Sequence, residues 1–122
     1  RLFLGGNQIT EFPWEFRNLI LLDWLDIRSN GLKNCPAEIS SLTNLTKLIL
    51  EDNNLTEFDI DLSTLGKLAF LGLENNQIKS LSSSLAELPG LVGLSLGQND
   101  LTELPQIITS LTALRYLNLA FK

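Results

Sequence analysis

The sequence predicts a curved α/β solenoid, with a parallel β-sheet on the concave face and turns or short helical or 3-10 segments on the convex face. Three observations carry this. Asparagines stand at Asn7, Asn30, Asn53, Asn76 and Asn99, each 23 residues after the last (30 − 7, 53 − 30, 76 − 53, 99 − 76). Leucines and isoleucines alternate with other residues just before each asparagine, the period of a strand. Leucine fills 29 of the 122 positions, far above ordinary usage, which points to a repeated core position.

The strand segments come in order as "LFLGGNQI", "LDWLDIRSNGL", "LTKLILEDNNL", "LAFLGLENNQI" and "LVGLSLGQNDL", and a sixth begins at Leu114 with "LRYLNLAFK". Each fits L-x-x-L-x-L-x-x-N-x-L, the first without its opening residues. The return segments also recur: "EFPWEFRNL", "NCPAEISSL", "EFDIDLSTL", "SLSSSLAEL" and "ELPQIITSL". One such unit cannot bury its apolar face alone. Stacked units can, laying parallel strands ~4.8 Å apart so that leucine columns form one continuous core. Residues 1–122 therefore read as a single domain. The start at Arg1 in mid-pattern, the absence of methionine and the lack of a visible end cap suggest a piece of a longer protein. Lys122 takes the sixth asparagine position.

Five phased copies of this pattern resemble the leucine-rich repeat family over essentially the whole chain. The second halves are similar to the 23-residue L-P-x-x-I-x-x-L subtype, although Asp59 and Ser82 stand where it has proline. The Gly-x-Ile-Pro segment of the plant receptor subtype does not match. The resemblance implies a right-handed horseshoe that binds other proteins. The subtype is common in cytosolic scaffolds and bacterial repeat proteins.

The asparagines have a structural task. Where each strand ends, backbone groups lose their sheet partners, and a buried amide can satisfy donors and acceptors on its own turn and the next. The register assigns Leu25, Ile27, Leu32, Leu48, Leu50, Leu55, Leu71, Leu73, Ile78, Leu94, Leu96 and Leu101 to the strand side of the core. Phe12, Phe16, Ile39, Phe58, Leu62, Leu81, Leu85, Leu104 and Ile108 fall along the outer arc. Cys35 shares that column and is expected to be a buried small hydrophobe, not a reactive thiol. Trp14 also lies on the outer arc, against the preceding turn or open to a flanking contact.

Side chains alternating with the leucines face outward from the sheet. The first such column reads Arg1, Trp24, Lys47, Phe70, Gly93, Tyr116. The second reads Phe3, Asp26, Ile49, Gly72, Ser95, Asn118, and the third Gly5, Arg28, Glu51, Glu74, Gly97, Ala120. Phe3, Trp24, Ile49 and Phe70 form an apolar patch rimmed by Asp23, Asp26, Arg28, Glu51, Asp52 and Glu74, the make-up of an interaction site. The alternative is cross-strand packing alone, at ~0.2–1 kcal/mol per pair. Partner-binding candidates are Phe3, Trp24, Asp26, Arg28, Lys47, Ile49, Glu51, Phe70, Glu74, Tyr116 and Asn118. Arg28 is expected to pair with Glu51, leaving Glu51 beside Glu74 with like charge that a basic partner would relieve. Gly72, Gly93, Ser95 and Gly97 suggest a shallow spot where a partner could approach closely.

The totals exclude several classes. A net charge of −5 and a pI near 4.6 argue against phosphate-backbone binding, so no nucleic-acid partner is expected. No apolar run is long enough to span a membrane. Without histidine, and with its one cysteine in a core column, the chain offers no catalytic constellation, phosphate loop or dinucleotide fingerprint. No cofactor or metal is expected: Glu51, Asp52 and Glu74 match no cation loop and read as a solvated acidic face. The sequons at Asn44 and Asn54 arise readily in such repeats. The expected function is recognition of a protein or peptide, with or without a basic patch, in a cytoplasmic scaffold or an effector delivered into a host cytoplasm. The alternative is a ligand-binding ectodomain segment of a surface or secreted receptor.

Leu73→Ala is expected to cost about 2–5 kcal/mol of stability. A thermal melt that moves by less than about a degree would contradict the register.

Overall fold

A computed structural model describes residues 1–120; Phe121 and Lys122 lie outside the described residues. Six strands, β1 (Leu2–Phe3), β2 (Trp24–Asp26), β3 (Lys47–Ile49), β4 (Phe70–Gly72), β5 (Gly93–Ser95) and β6 (Tyr116–Asn118), form one parallel sheet in sequence order. Their register is the repeat itself. Leu25 opposes Leu48, Leu48 opposes Leu71, Leu71 opposes Leu94 and Leu94 opposes Leu117.

Four return segments contain short 3-10 helices: Trp14–Asn18, Ala37–Ser41, Ser83–Glu87 and Gln106–Ser110. Pro13, Pro36 and Pro105 precede three of them in extended conformation, their fixed φ suited to helix entry. Ser82 holds the same geometry at φ −60° and accepts a hydrogen bond from the Ser84 N–H, replacing the proline constraint with a side-chain cap. At Asp59 neither device is present. The Asp61 carboxylate instead accepts from the N–H and hydroxyl of Ser63, and this return forms a turn without a 3-10 helix.

The core follows the predicted columns. Leu25, Ile27, Leu48, Leu50, Leu71, Leu73 and Leu94 are fully enclosed, with Ile39, Phe58, Leu62 and Leu85 beneath them. Phe12, Leu81 and Leu101 are half-buried against this cluster. Leu104 corrects the sequence assignment. It is 60% exposed, because no later repeat within the described residues covers its column, and it lines an apolar opening of about 250 Å³ with Leu96, Leu101 and Leu119. Cys35 is buried, and burial pushes its thiol far above the ordinary range, as an inert core residue requires. Trp14 is exposed on the outer arc.

The asparagines brace the turns. Asn53 donates from Nδ2 to the carbonyls of Leu50 and Glu51 on its own turn and of Ile27 on the preceding one, at 3.0–3.2 Å. Its Oδ1 accepts from the N–H groups of Asn30 and Leu32. Asn76 and Asn99 repeat the donations and accept from the N–H groups of Leu55 and Ile78, and Asn30 serves Leu4, Ile27, Arg28 and Ile9 in the same way. Asn7 is exposed and serves only its own turn, at Leu4 and Gly5.

One residue before each ladder asparagine the backbone enters the left-handed region: Gly6, Ser29, Asp52, Asn75 and Gln98 have φ between 55° and 74°. That conformation lets the strand turn sharply while its carbonyls point at the asparagine. Side chains other than glycine hold it at a cost of roughly 1–2 kcal/mol, and β-branched ones fit worst. Gln98→Val is therefore expected to lower the melting temperature measurably and Gln98→Gly to preserve or raise it. Equal losses from both would show that the side chain, not the backbone angle, matters there.

Candidate interaction surface

The sheet register brings the first outward column together as alternating cations and rings. The Lys47 ammonium lies 4.2 Å from the Trp24 ring centroid and 5.8 Å from that of Phe70. The Arg1 guanidinium, just before the neighbouring strand β1, lies 5.1 Å from the Trp24 ring centroid. Phe3 meets Trp24 edge-on at 5.1 Å and 86°. Phe70 and Tyr116 approach to 6.4 Å across Gly93, where an added Cβ would lie 2.5 Å from the Phe70 ring. Each cation–ring contact at such a surface contributes ~0.5–1 kcal/mol. Trp24 and Phe70 are consequently half-buried, while Phe3 and Tyr116 remain more than half exposed. The Trp24 Nε1–H is buried with no acceptor, so the contacts that hold this ring are made by its faces and edges.

The second column corrects two site candidates. Asp26 and Ile49, expected to face solvent, are 8% and 5% exposed. Asp26 is covered by its own pair: its carboxylate accepts from Arg28 Nε at 3.0 Å and Nη2 at 2.7 Å, and from the Arg28 backbone N–H. Residues two apart on a strand share a face, so the guanidinium folds straight back onto the carboxylate. The expected Arg28–Glu51 pair is therefore secondary, at 3.9 Å. Ile49 lies over Gly72, where an added Cβ would meet its Cδ1 at 3.2 Å.

The shallow spot expected at the small residues is occupied in the same way. Glu51 Oε1 stands 2.9 Å from a Cβ position on Gly72, the Phe70 ring covers Gly93, and the Asn118 side chain crowds Gly97. Ser95 is buried and donates its hydroxyl to Glu74 Oε2 at 3.0 Å; Asn118 Nδ2 approaches the same oxygen at 3.4 Å. Small residues here receive their neighbours' longer side chains. For two of them the signal was present in the columns, where Gly72 follows Ile49 and Gly93 follows Phe70.

The third column carries the unbalanced charge. Glu51 is half-buried, and its carboxyl is raised above the ordinary range by burial, opposed by Arg28 and reinforced by Glu74, Asp52 and Asp26. Hydrogen bonding to Asp26 raises Arg28 against the effect of burial, and the charges of Asp26, Glu51 and Asp52 add to it, so the guanidinium is held first to Asp26 and second to Glu51. Asp52 accepts from Asn75 Nδ2 at 2.7 Å, a contact between adjacent turns. The face thus presents an aromatic ribbon bordered by acids, and its nearest cation is engaged with Asp26. Among the described residues no cluster of His, Cys, Asp or Glu is placed to hold a metal ion, and no helix is long and apolar enough to cross a membrane.

The raised carboxyl has a direct pH consequence. Folding binds a proton at Glu51 more tightly than the unfolded chain does, so its contribution is full below the ordinary glutamate range and is lost as pH rises through the raised value. Glu51→Gln is expected to melt above the parent at neutral pH, with the two converging below about pH 4. A parent more stable than the variant at neutral pH would show that attraction to Arg28 outweighs burial.

The family described as leucine rich repeat matches residues 66–121. A search of curated proteins found no significant match. Among solved structures, internalin C2 of Listeria monocytogenes is similar at 29% identity and TM-score 0.78, over 92% of this chain and 47% of that one. Internalin InlF of the same species is similar at 30% identity and TM-score 0.81, over 97% of this chain and 34% of that one. The Arabidopsis receptor kinase HAESA, solved with the peptide hormone IDA and the co-receptor SERK1, is similar at 30% identity and TM-score 0.77, over 98% and 22%. The chain thus spans less than half the length of each. Six parallel strands in the repeat register, asparagines bracing the turns from Asn30 to Asn99 and these likenesses show a leucine-rich repeat solenoid, and the family's own model matches its second half.

Proposed function

We propose that this chain is a protein-interaction module that binds a protein or peptide on its concave face, at the aromatic ribbon and the acidic row beside it. The single observation behind this reading is the pairing of an aromatic ribbon with an acidic row: Phe3 and Tyr116 stand 57% and 52% exposed, Glu51 shares at 3.9 Å a guanidinium bonded first to Asp26, and Glu74 accepts from the neutral donors Ser95 and Asn118. The complementary partner carries basic side chains next to aromatic or aliphatic ones. The solved HAESA complex, which contains a peptide hormone, supports the general mode. The reading is non-catalytic.

For its setting we favour an intracellular scaffold or an effector delivered into a host cytoplasm, because the one cysteine is a free, buried thiol. The ectodomain reading draws on the likeness to HAESA. Of the two sequons, Asn54 is exposed, whereas the Asn44 amide donates to the Ile20 carbonyl at 2.6 Å.

The test is selection of displayed random peptides on the folded chain. Enriched peptides are expected to combine Lys or Arg with an apolar residue, and to weaken with added salt. Phe3→Ala and Tyr116→Ala should each reduce affinity by about tenfold or more, the scale of an interface hot spot. Trp14→Ala, on the outer arc, should leave it unchanged. Binding that depends on Trp14 and ignores Phe3 and Tyr116 would overturn the concave assignment.

A further inference from the structure

Among the ladder asparagines, Asn30 is the one followed by glycine. An asparagine amide is open to attack by the backbone nitrogen of the next residue, and glycine offers that nitrogen with no side chain in the way. In the folded chain this reaction is held off by the ladder. The Asn30 Nδ2 donates to the carbonyls of Leu4, Ile27 and Arg28, each at 3.0 Å, and its Oδ1 accepts from the Ile9 N–H at 3.0 Å. The backbone on either side of Gly31 is tied as well, since Asn53 Oδ1 accepts from the N–H groups of both Asn30 and Leu32. Turning the side chain carbon towards Gly31 N requires these bonds to break together. Gly31 sits at φ +80°, so the position favours glycine and retains the susceptible pair.

We infer that Asn30–Gly31 is a modification site gated by opening of this rung: a spontaneous deamidation that proceeds when the N-terminal repeats part and that prevents the rung from re-forming. The Gly31 nitrogen adds to Asn30 Cγ and gives up its proton to solvent, and the amide nitrogen leaves as ammonia, closing a succinimide. Water then opens the ring at either carbonyl to give aspartate or isoaspartate. The balance is one water consumed and one ammonia released, with no redox change. The product cannot resume the old role, because a carboxylate has no hydrogen to offer the three carbonyls that Asn30 serves. The gate is local opening between the turn of Leu4 and that of Asn30, which this amide joins. Exposed Asn54 and half-buried Asn44, each followed by leucine, are the internal controls.

The experiment incubates the chain at mildly alkaline pH in buffer, in sub-denaturing urea and in full denaturant, with peptide mapping of each asparagine over time. Asn30 is expected to convert first in the denatured chain, and roughly tenfold or more slowly in the folded one, with urea closing the gap. The converted chain, isolated and returned to buffer, is expected to melt below the parent, and Asn30→Asp should reproduce that loss. Equal rates in folded and denatured chains would overturn the gate. Earlier conversion at Asn44 or Asn54 in denaturant would overturn the site. A converted chain that melts with the parent would overturn its consequence for the rung.

Discussion

The asparagine ladder is the constraint on which the rest depends. The strands are two or three residues long, and a sheet of such strands has few hydrogen bonds to hold its register. The turn that follows each strand would otherwise bury carbonyls and N–H groups without partners, at roughly 1–3 kcal/mol for each. One amide per repeat answers both problems, because it binds its own turn and the preceding one at once. Its geometry in turn imposes the left-handed residue just before it, so a recurring backbone angle and a recurring side chain belong to a single device.

With the turns fixed, the leucine columns are fixed too, and only the residues between them are free to differ. That freedom is narrower than a pattern of alternating residues suggests. On the concave face long side chains lie across the small ones of the next strand: Phe70 over Gly93, and Glu51 with Ile49 over Gly72. Lys47 is held between two rings and Arg28 by Asp26. Before any partner arrives, this surface is already ordered by its own contacts, which lowers the entropy cost of binding for the residues that stay exposed.

The parts of this structure legible from sequence are those set by period. Leu73 could be placed in the core because its neighbours recur at fixed spacing, and Cys35 could be read as inert because it shares a column with Phe12 and Phe58. What escaped the sequence depends on which way a side chain leans. Asp26 and Ile49 occupy outward positions and are nonetheless buried, one under Arg28 and the other against the neighbouring strand. Register gives the position of a Cβ; it does not choose a rotamer. Leu104 escaped for another reason: a column position implies burial only where a following repeat lies over it. The alternation of Arg1, Trp24, Lys47 and Phe70 was visible in the sequence, but its meaning required ring and cation to be seen stacked.

The ladder also has a direction. Every long-range bond from an asparagine runs back to the repeat before it: Asn53 to Ile27, Asn76 to Leu50, Asn99 to Leu73. The asparagine side chains therefore complete the turn before their own, while the main-chain N–H groups of Asn54, Gln77 and Asp100 rest on carbonyls of the preceding repeat. Removing a repeat from the front frees part of one side-chain amide and the few main-chain N–H groups that reached back to it. Removing one from the back takes the brace from a main-chain turn that remains. The array is polar in the sense that a filament is polar, with two ends that are not equivalent even where their sequences are.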